Sequence, residues 1–388
     1  MDVIINYGIN FKKCNNKSYS GYKRSALFSY LIKNLLDKNN ELVFSILTEI
    51  HCSSYYKDIQ NIIIHYYSQY NILHNISYSF FIDDFFQKII DIKKTIPKSQ
   101  QNNALINSNE IRNIYTSIFS NLINEKTHKI NIKLESKCHQ QEYYLQHINL
   151  KKYFPIVDSN NLQLTDLLSR GLREILFFAN IQHNDIEGKL SSLLCISNLE
   201  KINYWILWSY KIESIEKKFN KNKLFFTSKY KCLKNLKFHN LWEYFLWDKI
   251  WQNCEKNKFI NKKLFKSFTS LFFTNYTHNK IKERTNLLAT ALLLSNSRLK
   301  IPIQRYISKM EIFANLNANK FYKNIINSEN QDNYLNLYNN FNNINEKENQ
   351  NTKKIYKQNK LQDKMSYLHN YIPKLNSSEK KINEYFSN

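Results

Sequence analysis

The sequence predicts an all-α protein, a multi-helix array or bundle followed by a low-complexity C-terminal tail. Three observations carry that prediction. Glycine and proline are scarce, four of each in 388 residues. All-β and doubly wound α/β chains use glycine at tight turns and phosphate loops, and Gly8, Gly21, Gly171 and Gly188 cannot furnish those. Apolar residues recur at three- and four-residue spacing over much of 22–316, the period of helices with one buried face. Hydrophobic residues make up 43% of the chain, enough for a sizeable core, so global disorder is excluded. Abundant Ile, Tyr and Phe favour strands in most contexts. Here they rise together with Asn and Lys, the pattern of AT-rich coding, and that lowers their weight.

Residues 1–20 show no period and read as an irregular lead. An N-terminal helical domain is expected over 21–158. Leu42, Ile46 and Ile50 share a face, and after a break at Cys52-Ser53-Ser54 the series Ile59, Ile63, Tyr66, Tyr70 and Leu73 resumes it. Phe81, Phe85 and Ile89 form another face. Residues 93–109 read as a loop holding Pro97 and a Gln-Gln-Asn-Asn run, with Asn109 as the cap of a helix bearing Ile111, Tyr115, Ile118 and Leu122. A polar stretch from Lys126 ends near Pro155. The C-terminal helical domain is expected over 159–327, with faces at Leu164–Ala179, Ile202–Phe219, Leu241–Trp251, Ile260–Phe272, Leu288–Leu292 and Ile303–Phe313. The remainder, 328–388, is Asn- and Lys-rich and reads as a flexible tail.

The formal charge is +24, carried by 49 lysines and only seven arginines among 56 basic residues. A field of that size attracts polyanions. The densest basic stretch, Lys211–Lys237, holds nine lysines against Glu213 and Glu216, a net of +7, with Phe219, Phe225, Phe226 and Tyr230 interleaved. Lysines neutralise phosphates and aromatic faces stack on unpaired bases. The candidate nucleic-acid contacts are therefore Lys217, Lys218, Lys221, Lys223, Phe225, Lys229, Lys231, Lys234 and Lys237. The zone Lys280–Lys309 adds Arg284 to them. The competing reading of the run is a solvated connection whose aromatics point into the core. Arg112 after Glu110, and Arg173 before Glu174, read as structural ion pairs or as ligand contacts.

Five tryptophans, Trp205, Trp208, Trp242, Trp247 and Trp251, are core candidates. If exposed instead, they would dock a partner protein. The six cysteines form no CxxC pair, and His51-Cys52, Cys138-His139 and the set His128, His139, His147 lack zinc-finger or ribbon spacing. No metal is expected. Asp83-Asp84 and Asp185-Glu187 are neighbours whose side chains diverge on a helix, so neither makes an acid–base dyad. No GxSxG, Walker, Rossmann or kinase signature is present, so no nucleotide, no cofactor and no enzymatic activity is expected. The opening MDVIINYGINFKK has no signal-peptide pattern, and the run Leu287–Leu294 is too short to span a membrane. A soluble intracellular protein with reduced thiols is expected.

Five segments, LTEIHCSSYYKDIQNIIIHYY (47–67), NEIRNIYTSIFSNLI (109–123), INYWILWSYKIES (202–214), WDKIWQN (247–253) and KERTNLLATALLLS (282–295), occur in an order that resembles a family of uncharacterised helical proteins of large nucleocytoplasmic DNA viruses. The likeness covers about residues 22–316 and consists of packing patterns, not chemical motifs. This chain carries Ser54 where the pattern has glycine. The resemblance implies a helical body, a viral origin and a location in host cytoplasm or virion. It implies no activity and no functional residue. Together these observations lead to a non-enzymatic basic protein that binds nucleic acid or assembles on it, as a viral replication-site or virion component. The alternative is a module that docks a partner protein through Trp-rich helices.

Overall fold

The computed structural model describes residues 8–12, 14–130, 166–179, 193–216, 230–234, 236, 238–256, 261–296 and 318–325. Their regular structure is helical, apart from one antiparallel bridge between Lys17 and Lys23. The lead from Gly8 reaches α1 (Arg24–Leu36), then α2 (Asn40–Cys52), α3 (Tyr56–Tyr66) and a π-turn (Tyr67–Asn71). Next come α4 (Tyr78–Thr95), α5 (Gln101–Asn107) and α6 (Asn109–Asn124). The later half holds α7 (Asp166–Ala179), α8 (Leu193–Glu216), α9 (Leu241–Lys256), α10 (Lys262–Phe273), a 3-10 turn (His278–Lys280) and α11 (Ile281–Ser295). A last helical stretch, α12, covers 318–325. No described helix is long and apolar enough to cross a membrane. The chain divides into one compact unit, Met1–Ile326, and a second, Asn327–Asn388, and the expected tail lies outside the described residues.

The expected split into domains 21–158 and 159–327 is corrected. One hydrophobic core runs from Leu27 through Ile63, Phe119, Leu176, Trp247 and Leu292 to Phe321. Helix α11 is its centre. It packs against α3, the π-turn, α8, α9 and α10, while α10 also packs against α4. Every residue from Arg284 to Ser295 is buried, so beyond Lys282 and Glu283 in its first turn α11 has no solvent face. A helix buried all round has little amphipathic pattern to betray its neighbours, and the pairing across the two halves is invisible in local sequence for that reason.

Two local readings also change. The 93–109 segment contains α5, which inserts Leu105 and Ile106 into the interior. The cap of α6 is Ser108, whose hydroxyl accepts from the Ile111 amide at 3.3 Å, one residue before the expected Asn109. The break after α2 is real. Ser54 there has φ of +60°, the left-handed region that favours glycine. Its hydroxyl is buried beside Tyr56. Gly171 on α7 permits a close crossing with α8: a Cβ there would stand 2.3 Å from Ser209 Oγ and 3.0 Å from the Trp208 ring.

Arg284 fastens this arrangement. Its side chain is fully buried and donates to the carbonyls of Leu271, Phe272 (3.0 Å) and Thr274 (3.1 Å) and to Asn61 Oδ1 of α3 (3.3 Å). Burial lowers its guanidinium to about 10, which leaves it charged at neutral pH.

Two stability measurements follow. Arg284→Met leaves the carbonyls at the end of α10 without their donor and lowers unfolding free energy by about 3 kcal/mol. Arg284→Lys rescues little, because one ammonium cannot span those acceptors. A loss under about 1 kcal/mol in urea melts would show that Arg284 does not hold the turn. Ser54→Gly relieves the left-handed backbone and raises stability by about 0.5–1 kcal/mol in the same assay. A destabilisation would show the serine to be native-favouring at this turn.

Candidate nucleic-acid interface

The structure separates the sequence-predicted contacts into three groups. Lys217, Lys218, Lys221, Lys223, Phe225, Lys229 and Lys237 lie outside the described residues. Lys231 and Lys234 lie in the turn 230–234 and are exposed. Between them the turn drives Tyr230 and Leu233 into the core, at 4% and 2% exposure. The described end of the run thus puts its lysines outward and its aromatic inward. Arg284 is the third case and is a correction. A fully buried guanidinium committed to backbone carbonyls does not face a phosphate.

The turn sits beside the corner between α9 and α10. The Cys232 thiol is half-buried there, pushed up to about 11 by burial, and it feels the charges of Glu255 and Lys266. Cys254, in the core near the end of α9, is pushed up to about 12, also by burial first, and feels Cys232, Lys262 and Glu255. Those neighbours place Cys232, which lies between Lys231 and Lys234 in the chain, near the end of α9 and the start of α10. Lys256 closes α9, and Lys262, Lys263 and Lys266 rise on the first turns of α10. All four are exposed. Six lysines from three elements therefore share one corner, with Glu255 as the exposed acid among them. Among the described residues none of the six lies within ion-pair distance of a carboxylate.

Sequence reasoning missed Lys256, Lys262, Lys263 and Lys266. The signal was present: from Lys256 to Lys266 the chain reads KNKFINKKLFK, with no acid. It was hidden because the cluster spans a helix–helix corner and is shorter than the run before it.

The start of α9 carries the other polar convergence. Glu243 is fully buried and accepts from the His239 amide (3.1 Å), the Asn240 side-chain amide (2.5 Å) and the Tyr276 hydroxyl. A glutamate in the first turn reaching back to the residues before the helix is a capping arrangement. Asn240 also meets His278 Nδ1 at 3.3 Å, and the His278 ring packs on Tyr210 with centroids 4.6 Å apart. This cluster joins α9 to the α10–α11 connection. It lies at the opposite end of α9 from Lys256, about 24 Å away along a 16-residue helix.

Other sequence candidates resolve as follows. Trp208, Trp242, Trp247 and Trp251 are buried and Trp205 is half-buried, so they form core and not a docking face. Arg112 is buried, donates to the Ile106 carbonyl (2.9 Å) and Asn107 Oδ1 (3.1 Å), and covers the Tyr322 ring at 4.1 Å. His51 is fully buried against Tyr322. Among the described residues no group of three His, Cys, Asp or Glu could hold a metal ion. Asp83 is held above the usual carboxylate range by burial, whereas Asp84 pairs with Lys88 at 3.3 Å. Cys138, His139, His147, Asp185, Glu187, Arg298, Lys300, Arg305 and Lys309 lie outside the described residues.

No protein-family model, no curated protein and no solved structure matches this chain.

The packing of the turn on α9 has a direct readout. At pH 8 Cys232 should alkylate with iodoacetamide at least tenfold more slowly in the folded protein than in urea, because its raised thiol yields little thiolate. Equal rates would place the thiol in water, away from α9 and α10, and would disperse the lysine corner.

Proposed function

We propose that this protein binds nucleic acid without catalysing a reaction, gripping the phosphate backbone with the lysine corner of the 230–234 turn, α9 and α10. The observation that carries the reading is the convergence of six exposed lysines from three elements around one acid. Lysines neutralise phosphates and release condensed counterions, which supplies sequence-independent affinity. The first turn of α10 strengthens the case. Lys262 and Lys263 stand at its positive end with no acidic residue there. Cations at that end are disfavoured by about 0.3–1 kcal/mol, and a bound phosphate would offset the repulsion. The lysines of 217–229 lie in the same stretch of sequence as Lys231 and Lys234 and outside the described residues.

Docking through the tryptophans has less support, since the described ones line the core. A place in a viral replication site or virion rests on the segment resemblance alone.

The test is binding of fluorescent single- and double-stranded oligonucleotides across a salt series. The wild-type protein should lose affinity steeply with salt. Replacing Lys256, Lys262, Lys263 and Lys266 together by Ala should weaken binding at every sequence and reduce the duplex salt slope by about 3.6, near 0.9 per lost phosphate contact. A variant that binds as the wild type does would remove the corner from the site. Absence of binding at low salt would remove the function.

A further inference from the structure

Helix α12 is seated in a socket made by the first half of the chain. Tyr322 enters deepest: its hydroxyl meets His51 Nδ1 at 2.7 Å and its ring lies under the Arg112 guanidinium at 4.1 Å. Phe321 packs on Phe44 with centroids 5.9 Å apart. Ala318, Tyr322 and Ile325 share a small core with Ile9, Tyr19, Cys52 and Ile106, separate from the main one. On the surface Lys320 reaches Glu41 at 3.2 Å, a contact of little energetic weight. The compact unit ends one residue after α12, at Ile326.

We infer that α12 is an acid-released latch, held closed by the contact between the Tyr322 hydroxyl and the neutral imidazole of His51. The site is built so that a proton and the latch compete. His51 is enclosed by Arg112 and Tyr115 of α6, Tyr56 of α3, Tyr322 of α12 and the backbone near Leu105 of α5, with Glu49 and Cys52 beside it on α2. Cys14 of the lead packs on the same small core. Glu49 is turned to Ser20, whose amide and hydroxyl both donate to it at 2.7 Å, and burial holds its carboxyl above the usual range. The charge that acts on the imidazole is the Arg112 cation. With Nδ1 unprotonated, His51 accepts the Tyr322 hydroxyl. A proton on Nδ1 converts that acceptor into a donor and sets a second cation beside Arg112.

The sign follows from linkage. Burial first, and the Arg112 charge second, lower His51 from 6.5 to about 3. The closed state thus binds fewer protons than the open one. Undocking α12 hydrates the imidazole and raises it back toward 6.5, so docking is favoured at neutral pH and is lost as pH falls, by at most tenfold in the opening equilibrium per pH unit. Other buried groups near the latch, Tyr56, Tyr115 and Tyr322, are raised phenols that stay neutral throughout this range.

The experiment is hydrogen–deuterium exchange of the full chain between pH 7.5 and 4.5, corrected for intrinsic rates. Opening of 318–325 should rise about tenfold between pH 6 and pH 5, while α10 and α11 keep their protection. His51→Gln should flatten that dependence. Tyr322→Phe should open the latch more at neutral pH and make the slope shallower, because the contact that acid breaks is already gone. A pH-independent exchange of 318–325 in the wild type overturns the inference. So does a slope that survives His51→Gln, or opening of α10 and α11 together with α12, which would be acid unfolding. Should His51→Gln not fold, the regional comparison in the wild-type protein decides the matter.

Discussion

A guanidinium with no exposed surface sits where the two halves of the chain meet. Removing a cation from water is among the larger penalties in folding unless hydrogen bonds replace the lost hydration. Arg284 finds its replacement in the carbonyls that close α10 and in Asn61 of α3. The same contacts fix where α11 begins. Because α11 touches the π-turn, α8, α9 and α10, one side chain sets the axis around which the later helices assemble. The lysine corner depends on that axis. Lys256 ends one of the helices packed on α11, and Lys262, Lys263 and Lys266 begin another. A basic residue on the inside thus positions the basic residues on the outside, and no local feature of sequence tells the two kinds apart.

Helix periodicity was legible because it is a local property. Leu42, Ile46 and Ile50 fall on one face of α2, and Leu172, Ile175 and Ala179 on one face of α7, whatever covers them. The assignment of faces to partners was not legible. It is decided by α11, whose polar residues Thr285, Asn286 and Thr290 are as buried as its leucines. Asn286 shows why. Its amide donates to the Ser68 carbonyl at 3.0 Å, across 218 positions of chain, so the compensation for its burial is nowhere near it in sequence. The candidate site was half legible for a related reason. Lys231 and Lys234 alternate with Tyr230 and Leu233, a pattern that splits surface from core. Arg284, in a comparably basic stretch, lies in a helix that is buried from that residue to its end.

The composition that seemed to speak of function speaks first of tolerance. Asn, Ser and Thr are placed throughout this core, and many are satisfied by the helix that carries them. Thr48, Thr116, Ser120 and Thr269 each donate to the carbonyl four residues back, at 2.6–2.8 Å, and the Asn121 amide does the same at 2.8 Å. Neutral polar side chains can be buried in this way because one local hydrogen bond offsets most of their desolvation. A lysine cannot, since an ammonium needs several acceptors or a counter-charge. Enrichment in Asn and Lys is therefore sorted by folding: among the described residues the asparagines divide between core and surface, and the lysines stay out of the core apart from Lys249, which donates to Gln252 Oε1 at 3.0 Å. A net charge of +24 follows from composition with or without selection for a polyanion. Local arrangement is the discriminating quantity. Random scatter would mix acids among the lysines, as at Asp84 and Lys88 or Asp91 and Lys94 on α4. The corner of α9 and α10 instead gathers lysines from three elements, two of them at the helix end that electrostatics disfavours. That local excess, and not the total, is what argues for a phosphate-bearing partner.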